Sequence, residues 1–398
     1  MEVRVPLVSS DGPRHHTLTP LRALRGVICM LVLLLTAFIT LVYIVFLTAV
    51  ILRIFSLHYS RKTTSFFFGS WLALLPFLLE KINKTKVVFS GDCVPVKERV
   101  LVIANHRVKV DWIYLWDFAL RKGYLGYMKY IVKSIAMKLP VIGWGFHVLE
   151  FIAVGGNWEF DEPTICKMLS TFRDPQDPLW LAVFPEGTDF SEPKCIESQN
   201  YAAQNGLPIL SNVLLPRTKG FCACLEELRG SLDAGCYGFK FASIDPCAEE
   251  VIPHLFDNLL PAVYDLTIGY KHRCPSFLDN VFGVDPSEVH IHVRRIPLTD
   301  IPASEDQAVS WLIDTFCLKD LLLSDFYSQG HFPREGIEGD LSTVKCLVNF
   351  IFIIILTSIC TLFTYFSSLW FKLYISLVCA YLVCATYLDF RPLPIMAL

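Results

Sequence analysis

Two residues five apart, His106 and Asp111, offer the clearest chemistry in the chain. They lie in Val100-Leu-Val-Ile-Ala-Asn-His-Arg-Val-Lys-Val-Asp-Trp112, whose apolar, β-branched start reads as a buried strand over 100–103. The strand gives way to a loop at Asn105-His106, and Asp111 opens the amphipathic stretch through Leu120. An Asp in the first turn satisfies free backbone N–H groups and complements the helix dipole. A carboxylate at the head of a helix can then face an imidazole at the tip of the preceding strand, as a general base held in one tautomer by an acid. Taken alone, the pair reads more simply as a capping Asp and an incidental loop His.

Other runs end in polar or Gly/Pro blocks. Trp180–Val183 leads to Phe184-Pro-Glu-Gly-Thr-Asp189, and Val213–Leu215 leads to Pro216-Arg-Thr-Lys-Gly220. Both runs are read as strands, so three strand ends converge on one cleft, where ligands of α/β sheets bind. Further strands are expected at 86–89, 151–154, 263–268 and 289–293, with a basic stretch over Met128–Lys133 and a turn at Ile142–Gly145. Asp161 is expected to cap a helix, and Ser304-Glu-Asp-Gln307 has the capping-box pattern. The alternation implies an α/β domain.

Around that domain the composition changes. Of 398 residues, 53% are hydrophobic and gathered into runs, which points to a membrane protein; a net charge of −3 gives no support to nucleic-acid binding. Gly26–Leu52 carries no charge, and a span needs about 20 apolar residues to cross the ~30 Å hydrocarbon layer. Ser65–Leu79 is shorter and holds Gly69 and Pro76, so an interfacial or re-entrant segment is expected. Leu347–Phe366 and Leu373–Leu388 read as two closing spans joined at Ser367-Ser368. The expected organisation is a polar tail over 1–25, a span and interfacial piece over 26–82, and the α/β domain over 83–330. A linker over 331–346, spans over 347–390 and a tail over 391–398 follow. The fourteen cysteines are scattered, with no CxxC pair, so reduced thiols and no metal site are expected.

The Asn-His-x4-Asp string, Phe184-Pro-Glu-Gly-Thr188, Leu215-Pro-Arg-Thr-Lys-Gly220 and Lys133 before Pro140-Val-Ile-Gly-Trp144 resemble, in order, the signature blocks of the glycerophospholipid acyltransferase family. Within it the chain is most similar to plant 1-acylglycerol-3-phosphate acyltransferases whose third block reads Glu-Gly-Thr-Asp. The resemblance implies a glycerol-3-phosphate acyltransferase-like α/β domain with a mixed sheet. It implies an endomembrane protein, such as one of the endoplasmic reticulum, with a cytosolic site and an unused Asn83-Lys-Thr85 sequon. It implies acyl-CoA as co-substrate with no bound cofactor, and lysophosphatidic acid as acceptor. His106 would take the proton from the acceptor hydroxyl as it attacks the thioester, and Asp111 would hold the imidazole. Glu186, Gly187 and Thr188 would belong to the acceptor site, with Glu186 gripping a hydroxyl or a basic neighbour. Lys133, Arg217 and Lys219 are the candidate phosphate partners, because a dianion in a partly dry cleft needs cations. Asn105, Pro185 and Pro216 would shape the turns. No Gly-x-Ser-x-Gly elbow is present, so direct transfer is expected.

Three departures stand out. Lys109 replaces an acidic residue, Gly155-Gly156-Asn157 carries no cation where the second block has one, and 235–261 reads as an inserted surface loop. Another lysolipid acceptor, such as lysophosphatidylinositol, or a weakened lipid- or CoA-binding homologue, are the competing readings.

Overall fold

The computed structural model describes residues 17–95, 98–240, 261–284 and 288–391, apart from the side chains of 233–240. Seven strands form one mixed sheet: β1 (Lys86–Gly91), β2 (Val100–Ala104), β3 (Met128–Lys133), β4 (Ile152–Val154), β5 (Trp180–Val183), β6 (Ala262–Tyr270) and β7 (Glu288–Pro297). Their order is β1-β7-β6-β2-β5-β3-β4, parallel throughout except for the antiparallel β6–β7 pair. The carboxyl ends of β2, β3, β4, β5 and β6 therefore share one edge. β2 is central and buried at every position, as expected of a parallel strand covered on both faces. Side chains alternate along it: Val100, Val102 and Ala104 join one apolar cluster, Leu101 and Ile103 the other.

The helices follow from local signals. α1 (Pro20–Phe55) starts with Pro in its first turn behind Thr19, whose hydroxyl accepts from Arg22 N, so the helix begins inside the expected polar tail. At Ser56 the backbone turns extended and its hydroxyl caps α2 (Leu57–Ile82). α2 differs from the interfacial piece expected at 65–79. It is a 26-residue helix, long and apolar enough by length and composition to cross a membrane. Gly69 does not break it but allows close approach, since a Cβ there would sit 3.0 Å from the Gly126 backbone.

α3 (Asp111–Arg121) is followed by α4 (Ser134–Met137) and α5 (Ile142–Val148). The expected turn at 142–145 is thus helix, entered through Val141 at φ +63°. α6 (Trp158–Ser170) is capped by Asn157 rather than Asp161, whose carboxylate instead accepts from the N–H groups of Gly155 and Gly156. α7 (Glu192–Gln204), α8 (Thr218–Lys240), α9 (Phe277–Phe282) and α10 (Glu305–Gln329) complete the domain. The expected loop at 235–261 begins as helix, for α8 runs on to Lys240; residues 241–260 lie outside the described residues, as do 1–16 and 392–398. Ser304 stands at the N-cap of α10, but its side chain makes no capping bond. Val213–Leu215 is not a strand. Its neighbourhood is held by side chains instead: Asp320 accepts from the N–H of Ser211 and Asn212, and Glu186 from that of Leu214. α11 (Thr343–Phe366) and α12 (Leu369–Tyr387) are joined at Ser367-Ser368 and are also long and apolar enough to cross a membrane.

α1 and α2 are not a separate anchor. Leu33, Leu41, Val45, Phe68 and Leu72 share the cluster formed by one face of the sheet. At the amino end of β4, Glu150 is buried among Arg53 of α1, Arg61 of α2 and Lys129 of β3 at 2.8–3.4 Å, and Arg61 also pairs with Asp177. Asn83 is buried, accepting from Arg25 and donating to Asn280 O.

Candidate active site

The site stands where β2, β5 and β6 end. Asn105 closes β2 against β6 by a pair of bonds, Nδ2 donating to Ile268 O at 3.0 Å and Oδ1 accepting from Ile268 N at 2.7 Å. The next residue is thereby thrust past the sheet edge. His106 Nδ1 lies 2.9 Å from Asp111 Oδ2, which also accepts from Val108 N at 2.9 Å. The other oxygen, Oδ1, accepts from Tyr270 OH at 2.5 Å. Asp111 is fully buried, while 19% of the His106 side chain is open. The Phe184 ring stacks on the imidazole with centroids 4.5 Å apart. Burial pulls the His106 pKa down, but the hydrogen bond and charge of Asp111 outweigh it and leave it raised.

The third block closes over this pair from β5. Glu186 is buried and serves the backbone: Oε1 accepts from His106 N at 2.7 Å and Oε2 from Leu214 N at 2.9 Å. The two oxygens thus join the first block to the fourth, and burial pushes the carboxyl up to about 7. Gly187 has φ +70°, and a Cβ there would come within 3.2 Å of Arg217 Cδ, so the position suits glycine twice over. Pro185 and Pro216 are buried, and Arg217 N donates to Pro185 O at 2.7 Å, locking the third block to the fourth.

The candidate phosphate cations are spread more widely. Arg217 and Lys219 are exposed, one just before α8 and one in its first turn, with Arg217 beside Gly187. Lys133 is the exposed last residue of β3. Thr188 Oγ1 accepts from Lys194 Nζ at 2.8 Å, so a fourth cation stands beside the block, paired with Asp189 at 2.9 Å. Sequence reasoning missed Lys194, which lies in the first turn of α7, and Tyr270, whose only local sign was a strand ending in an aromatic. Arg107 was also missed; it is buried with its guanidinium 4.1 Å from the Phe190 ring centre. In the second block the Asp161 carboxylate occupies the Gly155-Gly156 turn, so the turn presents an acid where a cation was looked for. Lys109 is exposed, and its carbonyl accepts from Trp112 Nε1.

A histidine at a strand tip, tied to a helix-head carboxylate and roofed by a Phe-Pro-Glu-Gly turn, coincides with a matched family. Residues 86–237 match the family model described as Acyltransferase, and 280–353 match Acyltransferase C-terminus. Over 385 residues the chain is 56% identical to "Probable 1-acyl-sn-glycerol-3-phosphate acyltransferase 5" of Arabidopsis thaliana, covering 96% of this chain and 95% of that protein. The chain belongs to this acyltransferase family. It is also 33% identical over 278 residues to "Lysocardiolipin acyltransferase 1" of Gallus gallus, covering 69% of this chain and 67% of the other. A crystal structure of the 1-acyl-sn-glycerophosphate acyltransferase of Thermotoga maritima is 15% identical, with a TM-score of 0.41 over 77% of this chain and 98% of that one.

Proposed function

We propose that the protein transfers an acyl group from acyl-CoA to the free sn-2 hydroxyl of 1-acyl-sn-glycerol-3-phosphate, giving phosphatidic acid. The observation that carries this reading is the tie of His106 Nδ1 to Asp111, which leaves Nε2 as the nitrogen available to a substrate. Nε2 takes the hydroxyl proton as the oxygen attacks the thioester carbonyl. The C–O bond forms, the C–S bond breaks, and the imidazolium returns its proton to the departing thiolate. Asp111 stabilises the imidazolium between the two steps. The name of the Arabidopsis relative supports the choice of acceptor. Arg217, Lys194, Lys219 and Lys133 are the groups proposed to meet its phosphate. Acyl-CoA is a cytosolic compound, so the site faces the cytosol from an endomembrane such as the endoplasmic reticulum.

A second reading concerns the head group alone. With Asp161 in the second-block turn, an acceptor carrying a less charged phosphate, such as lysophosphatidylinositol, is favoured over the phosphate monoester. Membranes containing the full chain, supplied with labelled oleoyl-CoA and a panel of lysolipids, decide between them. Labelled phosphatidic acid from lysophosphatidic acid is the expected product. Transfer to another lysolipid but not to this one overturns the first reading.

A further inference from the structure

Arg107 follows the base and turns the other way. His106 stacks on Phe184, which packs with one apolar cluster of the sheet. Arg107 lies over the rings of Phe190 and Tyr327, and Tyr327 packs with the other cluster. The guanidinium is 4.1 Å from the Phe190 ring centre and 5.8 Å from that of Tyr327, and only 6% of the residue is open. Its near neighbours are neutral: Nη1 donates to Asn212 O at a long 3.4 Å, and the Cys274 thiol lies beside it. Glu186 attracts it from farther off, but both oxygens of that carboxylate are engaged by backbone N–H groups. Among the described residues no carboxylate forms an ion pair with Arg107.

A buried charge is costly unless it is paired, and other buried cations of the fold are paired. Lys129 and Lys319 each meet a carboxylate, and Arg99 donates to two carbonyls and a hydroxyl. Beside Arg107 the Tyr327 hydroxyl is buried too, with no hydrogen-bond partner among the described residues. A cation and a hydroxyl held together without an acid suit an incoming anion. Phe190 covers them. It is half-buried in the irregular stretch that leads into α7, and its N–H donates to His106 O at 2.8 Å. Turning its ring about the side-chain bonds uncovers the guanidinium while that backbone bond is kept. The space then opens beside the third block, where Lys194 is already paired with Asp189 and Arg217 lies exposed next to Gly187.

We propose that Arg107 binds a phosphate group of a substrate, and that Phe190 is the lid over it, stacked on the guanidinium until the phosphate takes its place. An Arg fork matches two phosphate oxygens at once. Lysophosphatidic acid carries a phosphate on its head and acyl-CoA carries phosphates on its nucleotide. Assignment to a substrate rests on the acyl-transfer reading; the anion site itself does not.

Two probes separate the sources: glycerol 3-phosphate, which has the acceptor's phosphate without its chain, and CoA. Each is titrated calorimetrically into the detergent-solubilised full chain, as parent, Arg107→Lys, Arg107→Met and Phe190→Ala. One probe should bind Arg107→Met about tenfold more weakly than the parent, with Arg107→Lys in between, and that probe names the source. Phe190→Ala should bind the same probe about fivefold more tightly, because no ring competes for the guanidinium. Unchanged binding of both probes to the Arg107 variants, or binding of neither to the parent, overturns the site. Unchanged or weaker binding to Phe190→Ala overturns the lid. Should Arg107→Met fail to fold, Arg107→Lys carries the first comparison, with weaker binding expected and parental binding of both probes overturning the site. A parent that acylates no lysolipid yet binds a probe through Arg107 counts against the proposed function and leaves the site standing.

Discussion

His106 is held at Nδ1 by Asp111, and the mechanism we propose requires its imidazole to be neutral. Replacing His106 by Ala or Asp111 by Asn should cost about 10²–10⁴-fold in acyl transfer, with the protein still in the membrane fraction. Because the Asp111 carboxylate raises the His106 pKa, the neutral base is fully present above that raised value and lost as pH falls through it. The acid limb of kcat/KM should therefore lie above the ordinary imidazole value of about 6.5, and a limb at or below that value would contradict the geometry. Tyr270 refines this. Its hydroxyl disperses charge on Asp111, so Tyr270→Phe frees the carboxylate to hold the imidazolium harder. The acid limb should then move to higher pH, by less than about one pH unit, and kcat should fall roughly tenfold, the scale of one hydrogen bond to a charged group. Tyr114→Phe is the control, since its hydroxyl donates to Asn280 instead and its ring lies edge-on to Tyr270. Equal effects from the two variants would reduce Tyr270 to packing.

Glu186 joins elements. It ties the turn after β2 to the loop before α8, and both of its oxygens accept from backbone N–H groups. Glu186→Gln keeps the volume but offers one acceptor oxygen, so one buried N–H loses its partner at a cost of about 1–3 kcal/mol. We expect a lower thermal midpoint together with a lower kcat. A loss of activity at unchanged stability would mean that Glu186 meets the substrate directly. The second block shows the same interplay of element and side chain. Gly156 has φ +100°, a conformation that only glycine adopts readily, so a cation placed there would strain the turn.

At the scale of the molecule, the first two long helices and the α/β domain are one body joined by a shared core and a buried ion cluster. Glu150 is held well below the usual carboxylate range: burial opposes its charge, but Arg61, Lys129 and Arg53 overcome it. Lys129, buried in the same cluster, is pulled down to about 8 by burial against the attraction of Glu150. Glu150→Gln removes the carboxylate charge shared by three buried cations, and breaking a buried pair costs about 3–5 kcal/mol. Thermal unfolding of the detergent-solubilised protein should show a clearly lower midpoint, and an unchanged one would mean that the cluster does not bind α1 and α2 to the sheet.

What the sequence determined by itself was local. The strand at 100–103, the helix opened by Asp111 and the apolar spans rest on periodicity and on neighbours a few positions away, and so does the His106–Asp111 pair, which a strand end and a helix head bring together. Tertiary structure decided whatever depended on strand order. Tyr270 meets Asp111 across 159 residues because β6 lies beside β2, and no spacing in the chain encodes that neighbourhood. Val213–Leu215 has the apolar look of a strand yet forms none, for its surroundings take their hydrogen bonds from Asp320 and Glu186, carboxylates that arrive from elsewhere in the fold. Arg61 stands in the sequence between the apolar runs 26–52 and 65–79. In the fold it is neutralised by Glu150 and Asp177, more than 80 residues away, and the helix runs through it. A buried charge or an open backbone group is tolerable only where a partner stands, and that partner's position is a property of the folded chain.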